Sequence, residues 1–492
     1  MRAKANGRSR VTKRGAGYTT ETANGDPQMT SFVSHLEAAI DGTVLPADRL
    51  QTLHKDRPLW VRYDMQAVAR TLTKEKLRER PLDMWRYREL LPVPFESEPV
   101  SLGEGQTPLL SCSRLASRYG LDQLWIKDES HLPTGSFKSR GLAMAITMAK
   151  HFGVRRVALP SAGNAGGAAA AYAARAGLEA YVFMPQDTPV VNVYECRLAG
   201  AKTFLVNGLI TDCGRIVREG KQRMDWFDLS TLKEPYRIEG KKTMGLELAE
   251  QFDWQLPDVI LYPTGGGTGL IGMWKAFQEL SALGWLSSPV PSPPPVLGET
   301  KTAGERVRVR GPNVANAPSI SFDKNSPPRP SPLPPRTGGE GTKPKMPRMV
   351  SVQSTGCAPI AKAFESGSRF AEPFANAATI ASGIRVPAAV GDFMILDAVR
   401  ESGGLALQVE EARIREWMQL VAASEGIAIC PETAACIGAL ERLTREGWIR
   451  PDEKVVVFNT GAAQKYVEVM RCDLPKIDIT QPIDWDWLSE SP

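Results

Sequence analysis

A lysine that follows a turn is the strongest chemical signal in the sequence. Lys138 stands in LPTGSFKSRG, where proline and glycine favour a turn and a helix is predicted to begin near Ser139. The positive end of the helix dipole disfavours a cation there, so it should help to lower the pKa of the amine. An imine-forming lysine needs such a pKa, because the neutral amine is the nucleophile. A surface lysine after a turn would have the same local sequence, so the motif alone leaves both interpretations open.

Two glycine-rich segments could bind anions. SAGNAGGAAAA, residues 161–171, joins a predicted strand to an alanine-rich helix, and its backbone N–H groups could hold a substrate carboxylate. TGGGTG, residues 264–269, follows DVILYP and opens another helix, so its N–H groups could hold a phosphate. It has neither the lysine of a Walker A loop nor the spacing of GxGxxG, which favours one cofactor phosphate over a nucleotide. Glycines also serve tight turns and close helix packing, and each segment alone remains open to that interpretation.

The elements that must position these motifs alternate between strands and helices. From about Val100 the chain contains short apolar runs separated by helical stretches: DQLWIKDES, VRRVALPSAGN, LEAYVFMPQ, PDVILYPTGGG, RMVSVQSTG and EKVVVFNTGAA. This rhythm predicts an α/β fold with mostly parallel sheets flanked by helices. The binding site of such a fold lies at the C-terminal ends of the strands, where all three motifs occur.

Composition restricts the class of protein. The 492 residues suit two packed domains, and 42% hydrophobic and 23% charged residues are globular values. A net charge of +5 without a basic stripe argues against nucleic acid and for small-molecule partners. Seven scattered cysteines without a CxxC pair fit a reducing cytoplasm, and no apolar run is long enough for a membrane span.

Two segments stand apart from the alternating pattern. Residues 287–347 contain SPVPSPPP and SPPRPSPLPPRTGGEG, which predicts an exposed disordered insertion; a proline-rich docking segment is the alternative. Residues 1–29 are predicted to be a disordered basic tail, with a transit peptide or a translation start at Met29 as alternatives.

The three motifs together resemble one enzyme family. PTGSFK, then a Ser-x-Gly-Asn loop, then a glycine-rich phosphate loop is the order found in the tryptophan-synthase-like, fold type II enzymes that use pyridoxal 5′-phosphate (PLP). Within that family the chain resembles threonine synthases over roughly residues 30–470, through SLGEGQTPL, IKDES, FKSRGLAMA and PTGGGTGLIGMWKAF. The resemblance implies a large domain of residues 65–138 and 237–480, a small domain of residues 139–236, and a homodimer as a family expectation.

The resemblance also assigns cofactor-binding residues. Lys138 would form the Schiff base with PLP and then move protons as acid and base. Phe137 would line the pyridine ring, Asn164 would hydrogen-bond the 3′-oxygen, and the Thr460 hydroxyl would face the pyridine nitrogen. A hydroxyl there need not keep the nitrogen protonated, which suits elimination more than transamination. The residues assigned to the cofactor phosphate are Gly265, Gly266, Gly267, Thr268 and Gly269.

Substrate contacts are assigned in the same way. Ser161, Gly163 and Ala165 would present N–H groups or a hydroxyl to the substrate carboxylate. Arg140, next to the lysine, is predicted either to meet a phosphorylated substrate or to be a solvated arginine of the first helical turn. Glu432 in ICPETAA matches a position where related enzymes place an acidic residue near the ring, although a glutamate at a helix start is also commonplace.

The N-terminal arm, residues 30–64, departs from the family pattern. Threonine synthases of this kind often begin with a zinc ribbon, but Ala38 and Asp41 stand where CxxC is expected, and His54 alone cannot complete a tetrahedral site. The sequence therefore predicts no metal, and whether the arm folds without one is left open. The histidines at 35, 131 and 151 have no ligand spacing.

The implied reaction converts O-phospho-L-homoserine and water to L-threonine and phosphate. A threonine or serine ammonia-lyase, or a β-replacement enzyme, would use the same cofactor and most of the same motifs. A non-catalytic homologue is the alternative from another class, and the intact lysine, phosphate loop and terminal hydroxyl argue against it.

Overall fold

The fold is known for most of the chain. The computed structural model describes residues 11–13, 18–21, 27–286, 345–470, 476–477, 479–483 and 485–490. Almost all of the predicted insertion and much of the predicted basic tail lie outside these residues. Among the described residues, no helix combines the length and the apolar character that a membrane span requires.

The elements alternate as the sequence predicts. The strands are β1 Val11–Lys13, β2 Tyr18–Glu21, β3 Pro27–Ser31, β4 Val33–Ala38, β5 Val44–Leu45, β6 Leu59–Tyr63, β7 Leu109–Ser111, β8 Gln123–Asp128, β9 Arg156–Pro160, β10 Glu179–Pro185, β11 Lys202–Val206, β12 Phe227–Asp228, β13 Val259–Pro263, β14 Arg348–Ser354, β15 Leu405–Val409 and β16 Lys454–Asn459. The α-helices are α1 Met65–Thr71, α2 Lys74–Arg78, α3 Ser113–Tyr119, α4 Lys138–His151, α5 Asn164–Ala176, α6 Val190–Leu198, α7 Ile210–Met224, α8 Tyr236–Gln251, α9 Thr268–Ala282, α10 Pro359–Glu365, α11 Asp392–Glu401, α12 Ile414–Glu425, α13 Pro431–Arg445 and α14 Trp485–Glu490. Short 3-10 turns lie at Met84–Leu90, Glu129–His131, Ser382–Ile384, Glu411–Arg413 and Ala463–Lys465.

A six-stranded sheet in the order β15-β14-β13-β16-β8-β7 forms the larger layer. All its pairs are parallel except β7 with β8. Both faces are buried: Val455 and Val457 pack with α13, while Val456 and Phe458 pack with residues of α8 and α9. Burial on both faces explains why the sequence of β16 is a nearly continuous run of apolar residues.

A second sheet, in the order β11-β10-β9-β12, is entirely parallel. All four of its strands fall within residues 139–236, the predicted small domain. The domain boundaries themselves stay a prediction. The α/β architecture with parallel sheets flanked by helices is confirmed.

The N-terminal arm folds as an antiparallel sheet, in the order β5-β4-β6. Its core side chains include Leu36 and Val61, each 1% exposed. Asp41 pairs with Lys55 at 3.0 Å and lies 3.6 Å from His54 Nε2. The described residues contain no group of three or more His, Cys, Asp or Glu side chains placed to hold a metal. The arm is attached to the body by the Tyr63 hydroxyl, which donates to buried Glu239 at 2.7 Å.

Candidate active site

Lys138 is the first residue of α4, as the sequence predicts. Burial lowers the pKa of Lys138 to about 7, and the charge of Arg237 acts in the same direction while Glu432 opposes it. Burial is thus the main cause of the shift, since it disfavours the charged form of an amine. A lysine with this pKa is largely neutral just above neutral pH and can act as a nucleophile or a base.

The loop before Lys138 is held by the segment that follows β16. The Phe137 N–H donates to the Thr460 carbonyl at 3.0 Å, and the Ala462 N–H donates to the Gly135 carbonyl at 2.8 Å. Lys465 Nζ donates to the Thr134 carbonyl at 3.0 Å. The lysine loop and the end of β16 therefore form one rigid unit at the C-terminal edge of the six-stranded sheet.

The glycine-rich loop after β13 is a cradle for an anion. The N–H groups of the five residues from Gly265 to Gly269 have no hydrogen-bond acceptor among the residues the structure describes. Helix α9 begins at Thr268, so its dipole adds positive potential at the same place. Successive unpaired N–H groups at a helix N-terminus are a favourable site for a phosphate.

Close packing explains why this loop needs glycines. Gly267 has a positive φ of 73°, and a Cβ there would lie 2.2 Å from Ile395 Cγ1. A Cβ on Gly265 would lie 2.7 Å from the Gly383 carbonyl oxygen, and one on Gly266 would lie 2.7 Å from Thr231 Cγ2. The backbone is thus enclosed on several sides, and any larger residue would displace the loop.

The loop after β9 leads directly into α5, which begins at Asn164. Ser161 holds the loop together, since its hydroxyl donates to the Gly163 carbonyl at 2.8 Å and accepts the Gly166 N–H at 2.9 Å. The Ser161 N–H donates to the Phe183 carbonyl of β10 at 3.0 Å and is therefore already used. The N–H groups of Asn164 and Ala165 have no acceptor within the described part of the chain.

These motifs meet at one cavity with about 590 Å³ of space outside protein atoms, part of it open to solvent. Its predicted lining residues are Phe137, Lys138, Asn164, Gly265, Gly266, Gly267, Thr268, Gly269, Glu432 and Thr460. Residues that sequence reasoning missed also line it, namely Thr231, Tyr262, Pro263, Gly383, Ile384, Val386 and Tyr466. Tyr262 and Pro263 directly precede the glycine loop in DVILYPTGGG, and Tyr466 follows EKVVVFNTGAA, but the others belong to no recognisable motif.

Buried polar atoms in the cavity wall lack partners that a ligand would supply. Asn164 Nδ2 donates one proton to the Tyr466 hydroxyl at 3.1 Å, and its second proton has no acceptor among the described residues and could bind a ligand oxygen. The Thr460 hydroxyl lies 3.6 Å from Cys430 Sγ, a weak contact. An amide, a hydroxyl, a neutral lysine and a phosphate cradle match the groups that PLP presents, so the site fits this cofactor.

Arg140 does not line the cavity. Its side chain is fully buried, and its guanidinium bonds Glu129 at 2.7 and 2.9 Å and Glu247 at 2.9 Å. Lys127 bonds Glu247 as well, so the arginine belongs to a closed ion network inside the protein. Both expectations for Arg140, a substrate contact and a solvated arginine, are therefore corrected, because its side chain is fully buried and paired with Glu129 and Glu247 away from the cavity.

Arg237, near the start of α8, is an arginine that sequence reasoning missed. It is buried, and its Nη1 donates to the Leu229 carbonyl at 2.8 Å. Its Nε and Nη2 have no partner in the part of the chain that the structure describes. Its charge helps to lower the pKa of Lys138, although Arg237 is not among the residues that line the cavity. The carboxylates of Glu234 and Asp228 act on the guanidinium, and its two nitrogens without acceptors among the described residues favour a further anion.

Comparison with known proteins agrees with this site. A family model described as pyridoxal-phosphate dependent enzyme matches residues 100–332 and 336–461. The threonine synthase of Methanocaldococcus jannaschii is 31% identical over 404 residues, which cover 82% of this chain and 85% of that protein. The threonine synthase of Methanosarcina acetivorans is 32% identical over 407 residues, with the same coverage.

Solved structures show the same fold at lower identity. Maize serine racemase matches with a TM-score of 0.54 and 18% identity, covering 73% of this chain and 88% of that one. Diaminopropionate ammonia lyase from Escherichia coli matches with a TM-score of 0.55 and 16% identity, covering 75% of this chain and 88% of that one. The chain therefore belongs to the family of pyridoxal-phosphate dependent enzymes, in its fold type II group, and is related to threonine synthases.

Proposed function

We propose that this protein converts O-phospho-L-homoserine and water to L-threonine and phosphate. The observation that carries the proposal is Arg237, a buried guanidinium whose charge lowers the pKa of Lys138 and whose Nε and Nη2 lack acceptors among the described residues. A phosphorylated substrate supplies a second anion in addition to its carboxylate. Threonine or serine, the substrates of an ammonia-lyase, would leave this cation without a phosphate to bind. The relation to threonine synthases supports the same choice.

Three parts of the chain would hold the reactants. The cradle from Gly265 to Gly269 binds the cofactor phosphate, Asn164 faces the 3′-oxygen, and the Thr460 hydroxyl faces the pyridine nitrogen. The unpaired N–H groups of Asn164 and Ala165 bind the substrate carboxylate. Ser161 and Gly163 act by shaping that loop, and Arg237 takes the role first assigned to Arg140.

Lys138 is the proton carrier of the proposed reaction. When bound, PLP withdraws electrons from the amino acid attached to it, so the protons at Cα and Cβ become acidic. Lys138, displaced by the substrate amine, removes the Cα proton and then a Cβ proton, and phosphate leaves from Cγ toward Arg237. Lys138 then returns one proton to Cγ, which becomes the methyl group, water adds at Cβ, and Lys138 returns the second proton to Cα. Its lowered pKa suits this work, because the same group must accept and donate protons near neutral pH.

The rate of imine formation should follow the pKa of Lys138. We expect the rate at which the apoprotein takes up PLP to rise as the pH passes about 7 and to level off above it, because only the neutral amine attacks. Rapid-mixing absorbance of the imine, corrected with a free lysine derivative in the same buffers, measures this. A rate that keeps rising toward the ordinary lysine value of 10.5 would show that Lys138 is not perturbed.

The glycine cradle should tolerate no side chain at position 267. Gly267→Ala combines a positive φ with a steric clash, so we expect a loss of about 2 kcal/mol or more in stability and at least a tenfold loss in PLP affinity. Gly120→Ala is the matched control, since Gly120 has a φ of 67° and open space around a Cβ. Denaturant unfolding and PLP titration compare the two. Equal effects of both variants would mean that the cradle does not bind the phosphate.

Product analysis tests the proposed reaction. Purified holoenzyme is supplied with O-phosphohomoserine, and phosphate and threonine are measured together; ammonia release from threonine and serine is measured in parallel. Phosphate and threonine in equal amounts support the proposal. Ammonia without phosphate release would make the protein an ammonia-lyase.

A further inference from the structure

Tyr466 lies with Asn164 and Glu432 in the cavity wall. Its hydroxyl accepts a hydrogen bond from Asn164 Nδ2 at 3.1 Å, and the charge of Glu432 acts on the same hydroxyl. Tyr466 is 3% exposed and lines the cavity together with both residues. The three side chains come from three separate segments, namely the start of α5, the start of α13 and the turn after β16.

The backbone fixes the position of this tyrosine. The Tyr466 N–H donates to the Ala463 carbonyl at 2.9 Å. The neighbouring Lys465 bonds the Thr134 carbonyl and, at 2.7 Å, Glu195 of α6. Glu432 is held in turn, since its Oε1 accepts the Gly383 N–H at 2.6 Å. The hydroxyl is therefore a fixed point against which a mobile group can be oriented.

Asn164 is the group that needs orientation. A carboxamide can present either its oxygen or its nitrogen to a ligand, and rotation about its last torsion is broad. The 3′-oxygen of the cofactor carries negative charge and requires a donor, which only the amide nitrogen offers. With one proton of Nδ2 on Tyr466, the second proton stays on the same side of the amide and remains available.

We infer that Tyr466 is a positioning residue that keeps the amide nitrogen of Asn164 directed at the 3′-oxygen of PLP. The inference rests on the proposed placement of the cofactor against Asn164, and not on the identity of the substrate. Tyr466 acts through Asn164 and touches neither the reacting atoms nor the leaving group.

Tyr466→Phe in the holoenzyme removes the hydroxyl and keeps the ring. A hydrogen bond to the 3′-oxygen withdraws charge from it, so its loss makes the oxygen a better partner for the imine proton. We expect the pH at which the imine loses its proton to rise, and PLP affinity to fall about fivefold, the worth of one hydrogen bond. The visible spectrum against pH and the equilibrium dissociation of PLP measure the two effects without using turnover.

Further variants test whether Tyr466 acts on the cofactor through Asn164. Asn164→Ala should shift both quantities in the same direction and further, and Tyr466→Phe should add nothing in the Asn164→Ala background. Tyr87→Phe is the matched control, because Tyr87 is buried and bonds a carboxylate, that of Glu250 at 2.5 Å, outside the cavity. It should change neither quantity.

The results with these variants distinguish the role of Tyr466 from the placement of PLP against Asn164. If Tyr466→Phe leaves spectrum and affinity unchanged while Asn164→Ala alters both, Tyr466 is not a positioning residue. Effects that add in the double variant would also overturn the inference, since the tyrosine would then act by another path. If Asn164→Ala itself changes nothing, the placement of the cofactor is wrong and the inference falls with it, while the proposed reaction remains to be judged by its products.

Discussion

Replacing Lys138 with alanine is expected to abolish the visible imine absorbance of the holoenzyme and to lower turnover by about a thousandfold or more. Lys241 lies over the same Phe137 ring but does not line the cavity, whereas Lys138 does. Proton transfer by a positioned base is worth about 10² to 10⁴ in rate. Lys138 is also the only group assigned to both proton transfers. Absorbance spectra and steady-state rates measure the loss, with circular dichroism to show that the protein is folded.

Lys150→Ala is the matched control for this variant. Lys150 lies on the same helix, α4, but is exposed at its far end. The Lys150→Ala enzyme should keep the imine absorbance and the turnover rate of the unchanged enzyme. A folded Lys138→Ala enzyme with unchanged turnover would contradict the assignment of the lysine, whatever the substrate.

Replacing Arg237 with glutamine is expected to lower kcat/KM for O-phosphohomoserine by about a hundredfold and to leave the imine intact. Hydrogen bonds to charged groups are worth about 1.5–3 kcal/mol, and two nitrogens of Arg237 have no acceptor within the described ranges of the chain. The same change should raise the pKa of Lys138, because the charge of Arg237 helps to lower it. Steady-state kinetics and inhibition by inorganic phosphate measure the effect on the substrate side.

Arg385→Gln serves as the control for Arg237→Gln. Arg385 lies in the loop that also supplies cavity residues, but it pairs with the exposed Asp187 at 3.1 Å. Its loss should change kcat/KM far less. If Arg237→Gln affected cofactor binding and spared the phosphorylated substrate, the arginine would not be a ligand of the leaving group.

The two arginines show where sequence reasoning succeeds and where it fails. Arg140 is two positions after Lys138 in the chain, and residues two positions apart in a helix are separated by about 200° around its axis. Arg140 therefore turns away from the cavity toward Glu129 and Glu247. Arg237 is distant in sequence and comes close through the packing of α8 against α4. Its position depends on tertiary structure that no local motif encodes.

Residues at strand ends were predictable for a physical reason. Lys138, Asn164 and the cradle each follow a buried parallel strand, and parallel strands bring their C-terminal ends to one edge. Strand β16 ends at Asn459, so Thr460 is the first residue of the turn that follows the strand. The partner of Asn164 was not predictable, since Tyr466 meets it only once the turn after β16 is in place.

The N-terminal arm was left open for a similar reason. Its sequence shows the loss of CxxC but not what replaces it. The structure supplies a small apolar core with Leu36 and Val61, and a buried hydrogen bond from Tyr63. Packing against the enzyme body thus stabilises a sheet that has no cysteine pair.

The most direct test of the proposed reaction follows the oxygen of water. The holoenzyme is supplied with O-phosphohomoserine in ¹⁸O-labelled water, and phosphate and amino-acid products are analysed by mass spectrometry. We expect threonine with the label in its hydroxyl and phosphate without label, because the Cγ–O bond breaks and water adds at Cβ. Unlabelled threonine, or homoserine with labelled phosphate, would contradict it.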